Sequence, residues 1–204
     1  MVTNKIRDSV EITRWDRKYR SDFIRLNREW IERFFCLEES DLKILGDPEG
    51  EIIDKGGEIF LALNRGKVVG CCALMYHPDT GRHELAKMAV SPAEQGKGIG
   101  FLLGVALLKY AGEHGVTDIF LEANTRLAAS VRLYHKLGFR QVEAKNPVYD
   151  RCNLYMEKNS RTLRFARCNS CHCPDHPDVS QRRTDDRHCS QTYCDRQGKT
   201  TSFN

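Results

Sequence analysis

The segment spanning residues 84–100, ELAKMAVSPAEQGKGIG, constrains this chain more than any other. Residues 84–90 read as a strand, glycines follow at positions 96, 98 and 100, and residues 98–114 read as a long helix stopped by Gly115. A strand that turns through glycines straight into a helix leaves the first-turn amides without internal partners, at the positive end of the helix dipole. Glycine also lets a ligand approach the backbone with no Cβ in the way. The segment therefore predicts a cradle for a pyrophosphate, with Lys97 as a cation at its rim. Two commoner cradles are excluded by spacing. The glycines fall as G-x-G-x-G after several strands, whereas a dinucleotide fold wants G-x-G-x-x-G after its first strand. Gly96-Lys97 is followed by Gly98, where a Walker loop needs Ser or Thr. Tight helix packing accounts for Gly104 better than for three glycines in five positions.

The flanking pattern supplies the rest of a mixed α/β (α+β) domain. Residues 9–12 and 58–63 read as strands, and 67–76 as the hairpin partner of the second across an Asn64-Arg65-Gly66 turn. Apolar residues at Phe23, Ile24, Leu26, Trp30, Ile31, Phe34 and Phe35 predict a helix over 21–35, and 39–45 a second one stopped by Gly46 and Pro48. After the glycine loop come a strand at 118–122, a helix at 127–137 ended by Gly138, and strands at 139–142 and 153–156. Strands in this order, interrupted by helices, form a sheet covered on its faces.

Composition changes after residue 158. Every glutamate lies at or before Glu157. Residues 1–158 carry 24 Lys and Arg against 23 Asp and Glu, and 159–204 carry 8 against 5. The first part is nearly neutral, which argues against a nucleic-acid binder. The second is poor in apolar side chains and is expected to be a disordered tail, 159–204, behind a folded domain, 1–158. The tail holds Cys168, Cys171, Cys173, Cys189 and Cys194, and the spacing of Cys168–Cys171 and Cys189–Cys194 is near that of a zinc ribbon. No strand alternation or helical stripe surrounds these cysteines, so disorder without a metal is the expectation. Cys71 and Cys72 lie in an apolar run and read as buried structural thiols. No run approaches the ~18 apolar residues of a membrane span. The polar N-terminus shows no secretory pattern, and the cytoplasm is the expected compartment.

Gln95-Gly96-Lys97-Gly98-Ile99-Gly100 matches the Q/R-x-x-G-x-G/A signature of the GNAT superfamily of N-acetyltransferases. A second match follows in Leu121-Glu122-Ala123-Asn124 and then Ala128 through Leu133-Tyr134-His135-Lys136-Leu137-Gly138-Phe139, which resembles the superfamily's fifth strand and next helix. The resemblance covers residues 9–158 and leaves out the tail, and the first third, with Leu26-Asn27-Arg28-Glu29-Trp30-Ile31, also resembles single-domain bacterial members. It implies a mixed, largely antiparallel central sheet flanked by helices and splayed after the fourth strand, with acetyl-CoA in the cleft. By position, Met88, Ala89 and Val90 offer backbone groups to the pantetheine arm, Gln95 to Gly100 hold the pyrophosphate, and Asn124 and Tyr134 flank the thioester. Asn124 also reads as a helix cap, and Ser130 as a helix-surface residue.

An amine must be neutral to attack a thioester, and a free alkylamine is mostly protonated at neutral pH. A general base near the acceptor is therefore useful. The resemblance points to Glu84 as that base and to Tyr134 as the group that protonates or hydrogen-bonds the leaving thiolate. A surface Glu84 paired with its neighbour His83, and a core Tyr134, are the competing readings. A backbone amide near Met88 is the expected oxyanion donor. Glu38, Glu39 and Asp41 read either as an attraction for a cationic amine or as a solvated helix start. The implied acceptor is the primary amine of a small molecule or peptide, reached by direct attack in a ternary complex. A homodimer is compatible with the resemblance. The alternative function is a catalytically silent module that binds CoA or a partner.

Overall fold

The computed structural model describes residues 10–143 and 149–159, and the backbone strands 192–194 and 200–202. The chain separates into two units, Met1–Phe165 and Ala166–Asn204. In the first, strands β1 (Val10–Arg14), β2 (Glu58–Asn64), β3 (Lys67–His77), β4 (Arg82–Val90), β5 (Asp118–Ala123), β6 (Arg140–Val142) and β7 (Leu154–Asn159) form one sheet in the order β1-β2-β3-β4-β5-β7-β6. Every pairing is antiparallel except β4 with β5. This is the mixed, largely antiparallel sheet that the resemblance implies.

Each face of the sheet carries its own core. Helices α1 (Arg20–Phe34) and α2 (Glu39–Gly46) cover one face, where Phe23, Leu26 and Ile31 pack with Ile59, Leu61, Cys71 and Ala73. Helices α3 (Ile99–Glu113) and α4 (Ala128–Lys136) belong to the other, where Leu103, Leu107, Tyr134 and Leu137 pack with Cys72, Leu74, Leu85 and Leu121. Cys71 and Cys72 thus point to opposite faces, as period-two alternation requires. Burial pushes the Cys71 thiol up to about 12 and Cys72 well above its ordinary range, so both are inert packing groups. α3 and α4 meet where a Cβ on Gly104 would lie 2.4 Å from Leu137 Cδ1, which is the packing role expected for that glycine.

Two local features are absent from the sequence reading. A 3-10 turn at Arg17–Tyr19 leads into α1, and a π-helical turn at Glu49–Ile53 joins α2 to β2. The strand placed at 139–142 begins one residue later, because Phe139 closes the end of α4 by donating its N–H to the Tyr134 carbonyl at 3.0 Å and is buried.

In the second unit, β8 (Thr192–Cys194) and β9 (Thr200–Ser202) pair antiparallel where the sequence predicts no strands. The remainder of the tail, with the question of disorder or zinc, lies outside the described residues. No helix among the described residues is long and apolar enough to cross a membrane.

Candidate active site

β4 touches β5 only at its start. His83 pairs with Ile119 and Glu84 with Phe120, and beyond Glu84 the two strands part. On its other edge β4 bulges: Cys71 opposes Ala89 and Ala73 opposes Ala86, so Lys87 and Met88 together face Cys72. Lys87 sits at φ 52°, which takes the Lys87–Met88 backbone out of the ladder toward the gap. The gap is a cleft of about 80 Å³ whose lining includes Glu84, Met88, Asn124 and Tyr134 from the expected set, together with Trp30 and Phe35. Through Trp30, Met88 and Leu127 it joins a groove of about 730 Å³ that runs to Gln95, Gly96, Gly98, Ile99 and Gly100.

The glycine loop is built as an open helix start. Gly96 and Gly98 have φ of 77° and 85°, the left-handed region that disfavours any Cβ. Gly98 is the N-cap of α3 and supplies no capping side chain, and the first turn holds no acidic residue. Gln95 braces the loop by donating Nε2 to the Val90 carbonyl at 2.9 Å. Arg126, Arg132 and Lys136 border the groove. Lys97 is turned aside onto Glu94 at 3.0 Å and does not line the groove. The side chains of Ala89 and Ile99 go into the cores, so only their backbones are available.

Glu84 is 3% exposed. Its partner is His77 at the end of β3, with Nε2 2.9 Å from Oε2, and not the adjacent His83, whose ring packs on Tyr76 at 4.9 Å. The hydrogen bond that Glu84 accepts raises the pKa of His77, whereas burial lowers that of His83. Tyr134 is 9% exposed, and burial raises its phenol well above the ordinary range, so it keeps its proton at any working pH. Asn124 uses both ends of its amide internally: Nδ2 donates to the Arg151 carbonyl at 2.6 Å and Oδ1 accepts from the Arg126 N–H at 2.9 Å. Its side chain therefore holds the turn into α4.

The far wall of the cleft is an ion network that the sequence does not announce. Asp41 is fully buried. It accepts from Lys87 Nζ at 2.8 Å and from Arg151 at 2.6 and 2.9 Å. Lys87 also donates to the Tyr149 hydroxyl at 2.8 Å, and Arg151 to Glu38 at 2.8 Å. Burial pushes the Asp41 carboxyl up, but the two cations outweigh it and hold the pKa below its ordinary value. Burial also lowers Lys87, with Asp41 opposing. Of the two readings for the acidic cluster, neither describes Asp41: it is not solvated, and its charge is already met by Lys87 and Arg151.

Sequence reasoning missed His77, Lys87, Tyr149 and Arg151. One signal was present for Lys87, a lone cation inside the apolar run of 85–90, where burial demands a partner. Nothing marks Arg151, because its partner Asp41 is 110 positions away.

The family model described as the acetyltransferase (GNAT) family matches residues 14–139. Human N-acetylaspartate synthetase is 33% identical over 91 residues, 45% of this chain and 30% of that protein. Mycothiol acetyltransferase of Amycolatopsis mediterranei is 37% identical over 91 residues, 41% of this chain and 30% of that protein. The chain thus spans under a third of the length of these two curated relatives. Among solved structures, a GNAT-family acetyltransferase of Staphylococcus aureus aligns with TM-score 0.66 at 21% identity, over 74% of this chain and 98% of that one. The PaiA N-acetyltransferase of Thermoplasma acidophilum, in complex with coenzyme A, aligns with TM-score 0.58 at 18% identity, over 74% of this chain and 99% of that one. The chain belongs to the GNAT family of acetyltransferases.

Proposed function

We propose that this chain is an N-acetyltransferase that moves an acetyl group from acetyl-CoA to a primary amine by direct attack. The observation that carries the reading is the parting of β4 and β5 after Glu84, which gathers a buried carboxylate, a buried phenol and a strand bulge around one cleft. The groove fits the CoA portion on this chain's own geometry. Its end is the uncapped start of α3, with two left-handed glycines and neighbouring cations.

Acetyl-CoA supplies the activated acyl group as a thioester. Glu84 accepts the proton that the amine sheds as its nitrogen attacks, directly or through one water. The Lys87–Met88 bulge aims a backbone N–H at the oxygen that gains charge. Tyr134 lies where the sulfur leaves. Its phenol is raised further above the ~8.5 of a thiol, so Tyr134 stabilises the thiolate by a hydrogen bond and does not give up its proton. We place the domain boundary after Lys158 and the protein in the cytoplasm, and leave the acceptor as a small or peptide amine.

The test is thiol release from acetyl-CoA with a panel holding aspartate (prompted by the name of one relative), spermidine and peptides with free amines. Release that one amine stimulates, and that Glu84→Gln suppresses, supports the reading. Binding of acetyl-CoA with no turnover of any amine replaces it by the silent-module alternative.

A further inference from the structure

Glu84 works at the bottom of a cleft that acetyl-CoA and an acceptor would fill, so a proton taken there needs another way out. Two cavities adjoin here, and Glu122 borders both. Glu84 lines the cleft and His77 does not, while His77 lines a separate, open cavity of about 870 Å³ on which Arg82, Asp118, Phe120 and Glu157 also border. Beside Glu122, a hydrogen bond of 2.9 Å between Glu84 Oε2 and His77 Nε2 links the cleft to the cavity. The Glu84 side chain is 4% exposed and the His77 side chain 27%. The imidazole packs on the Phe120 ring at 5.4 Å between centroids.

We propose that His77 is a proton relay that empties the buried base Glu84 into the cavity beyond β3, an inference that rests on the acetyl-transfer reading of the cleft. The balance of the reaction requires such an exit. An alkylammonium and a thioester give an amide, a thiol and one proton: the C–N bond forms, the C–S bond breaks, and of the two protons the nitrogen loses one is balanced by the proton that the departed thiolate takes from water, while the other is left over. Glu84 takes the surplus proton and passes it from Oε2 to Nε2 of a neutral His77 that carries its own proton on Nδ1; the ring releases the Nδ1 proton to water in the open cavity and resets by turning its Nε2–H out to that water and exchanging tautomer there. Imidazole is suited to this because its two nitrogens can gain and lose a proton on opposite edges near neutral pH.

The groups that act on His77 come from every neighbouring element. Glu84 on β4 and Glu122 on β5 favour the imidazolium, Lys55 before β2 disfavours it, and His83 lies nearby on β4. The Glu84 hydrogen bond is the largest of these, so His77 titrates above its ordinary value. The relay needs the neutral ring. Turnover should therefore rise as pH passes upward through the pKa of His77.

The experiment compares the full chain with His77→Gln and His77→Ala, using acetyl-CoA and the amine of the panel that releases thiol fastest. Glutamine keeps a donor for Glu84 but cannot shuttle a proton. The relay predicts that kcat of His77→Gln falls about 10- to 100-fold with KM for acetyl-CoA unchanged, and that the pH inflection of His77 disappears. Added imidazole restores His77→Ala, and pyrazole, of the same shape but far weaker basicity, does not. A His77→Gln variant with parental kcat and pH profile, or rescue by both azoles alike, overturns the relay and leaves His77 as a positioning residue. A parent that binds acetyl-CoA but acetylates no amine overturns the acetyl-transfer reading itself, and the relay with it.

Discussion

Two helix starts in this molecule face the same physical problem and meet it in opposite ways. At the start of α2, Glu38 caps the helix and Asp41 reaches back to the Glu38 N–H at 3.2 Å, a reciprocal capping box made of the chain's own carboxylates. At the start of α3, Gly98 caps nothing, and no acidic side chain stands in the first turn. Both ends carry unpaired amides and positive dipole potential. The α2 end is closed from within and tied through Arg151 and Lys87 to β4 and to the segment before β7. The α3 end is left open beside a groove. The first is architecture, and the second is the end we propose for the pyrophosphate.

The comparison breaks most visibly at Asp41. Asp41→Asn leaves the buried Lys87 and Arg151 charges short of their counterion, which is expected to cost about 3–5 kcal/mol; denaturant unfolding measures it. The same carboxyl gives a pH test. Its folded pKa lies below the ordinary 3.8, so the stability it contributes is complete above that value and is lost as pH falls through the folded pKa. Stability of Asp41→Asn should accordingly fall less on acidification than that of the parent, and parallel acid curves for the two would contradict the pairing.

Between the two helix ends, Glu84→Gln is expected to slow thiol release about 100-fold while leaving acetyl-CoA affinity within twofold or so, because the role proposed for the carboxylate is to take the amine's proton. Steady-state kinetics and calorimetry read the two effects separately. At the open end, Gly98→Ala places a Cβ at φ 85°, with an expected loss of about 1–2 kcal/mol in stability. At the closed end, Glu38→Ala removes one cap and one partner of Arg151, at a cost of about 1 kcal/mol. Thermal melts of the last two variants rank them; a larger loss for Glu38→Ala than for Asp41→Asn would invert the account of which carboxylate anchors α2.

The open end was legible in the sequence and the closed end was not. Gly96, Gly98 and Gly100 sit within one local segment, and local spacing with glycine chemistry suffices to place a helix start there. Glu84 and Tyr134 were legible through the resemblance of the motifs around them, and the structure brings both to one cleft. Asp41, Lys87 and Arg151 owe their meaning to contacts across the fold. Only Lys87, a lone cation in an apolar run, gave a local signal, and the β4 bulge, where Lys87 sits at φ 52°, joins it to the other two. His77 was hidden for the same reason. It lies seven positions from Glu84 across a hairpin, and sequence proximity favoured His83, which alternation sends to the other face. Asn124 borders the cleft, as its motif suggested, and its amide also ties the turn before α4.

The most direct measurement is titration calorimetry of acetyl-CoA into the full chain, beside Gly98→Glu. The substitution puts a carboxylate into the open start of α3, where it imitates the closure seen at α2 and repels a pyrophosphate. The account predicts binding near one to one by the parent and a loss of at least about 100-fold, or ~2.7 kcal/mol, in a folded Gly98→Glu. Equal binding by both proteins, or none by a folded parent, would contradict the claim that the uncapped helix start is the CoA site.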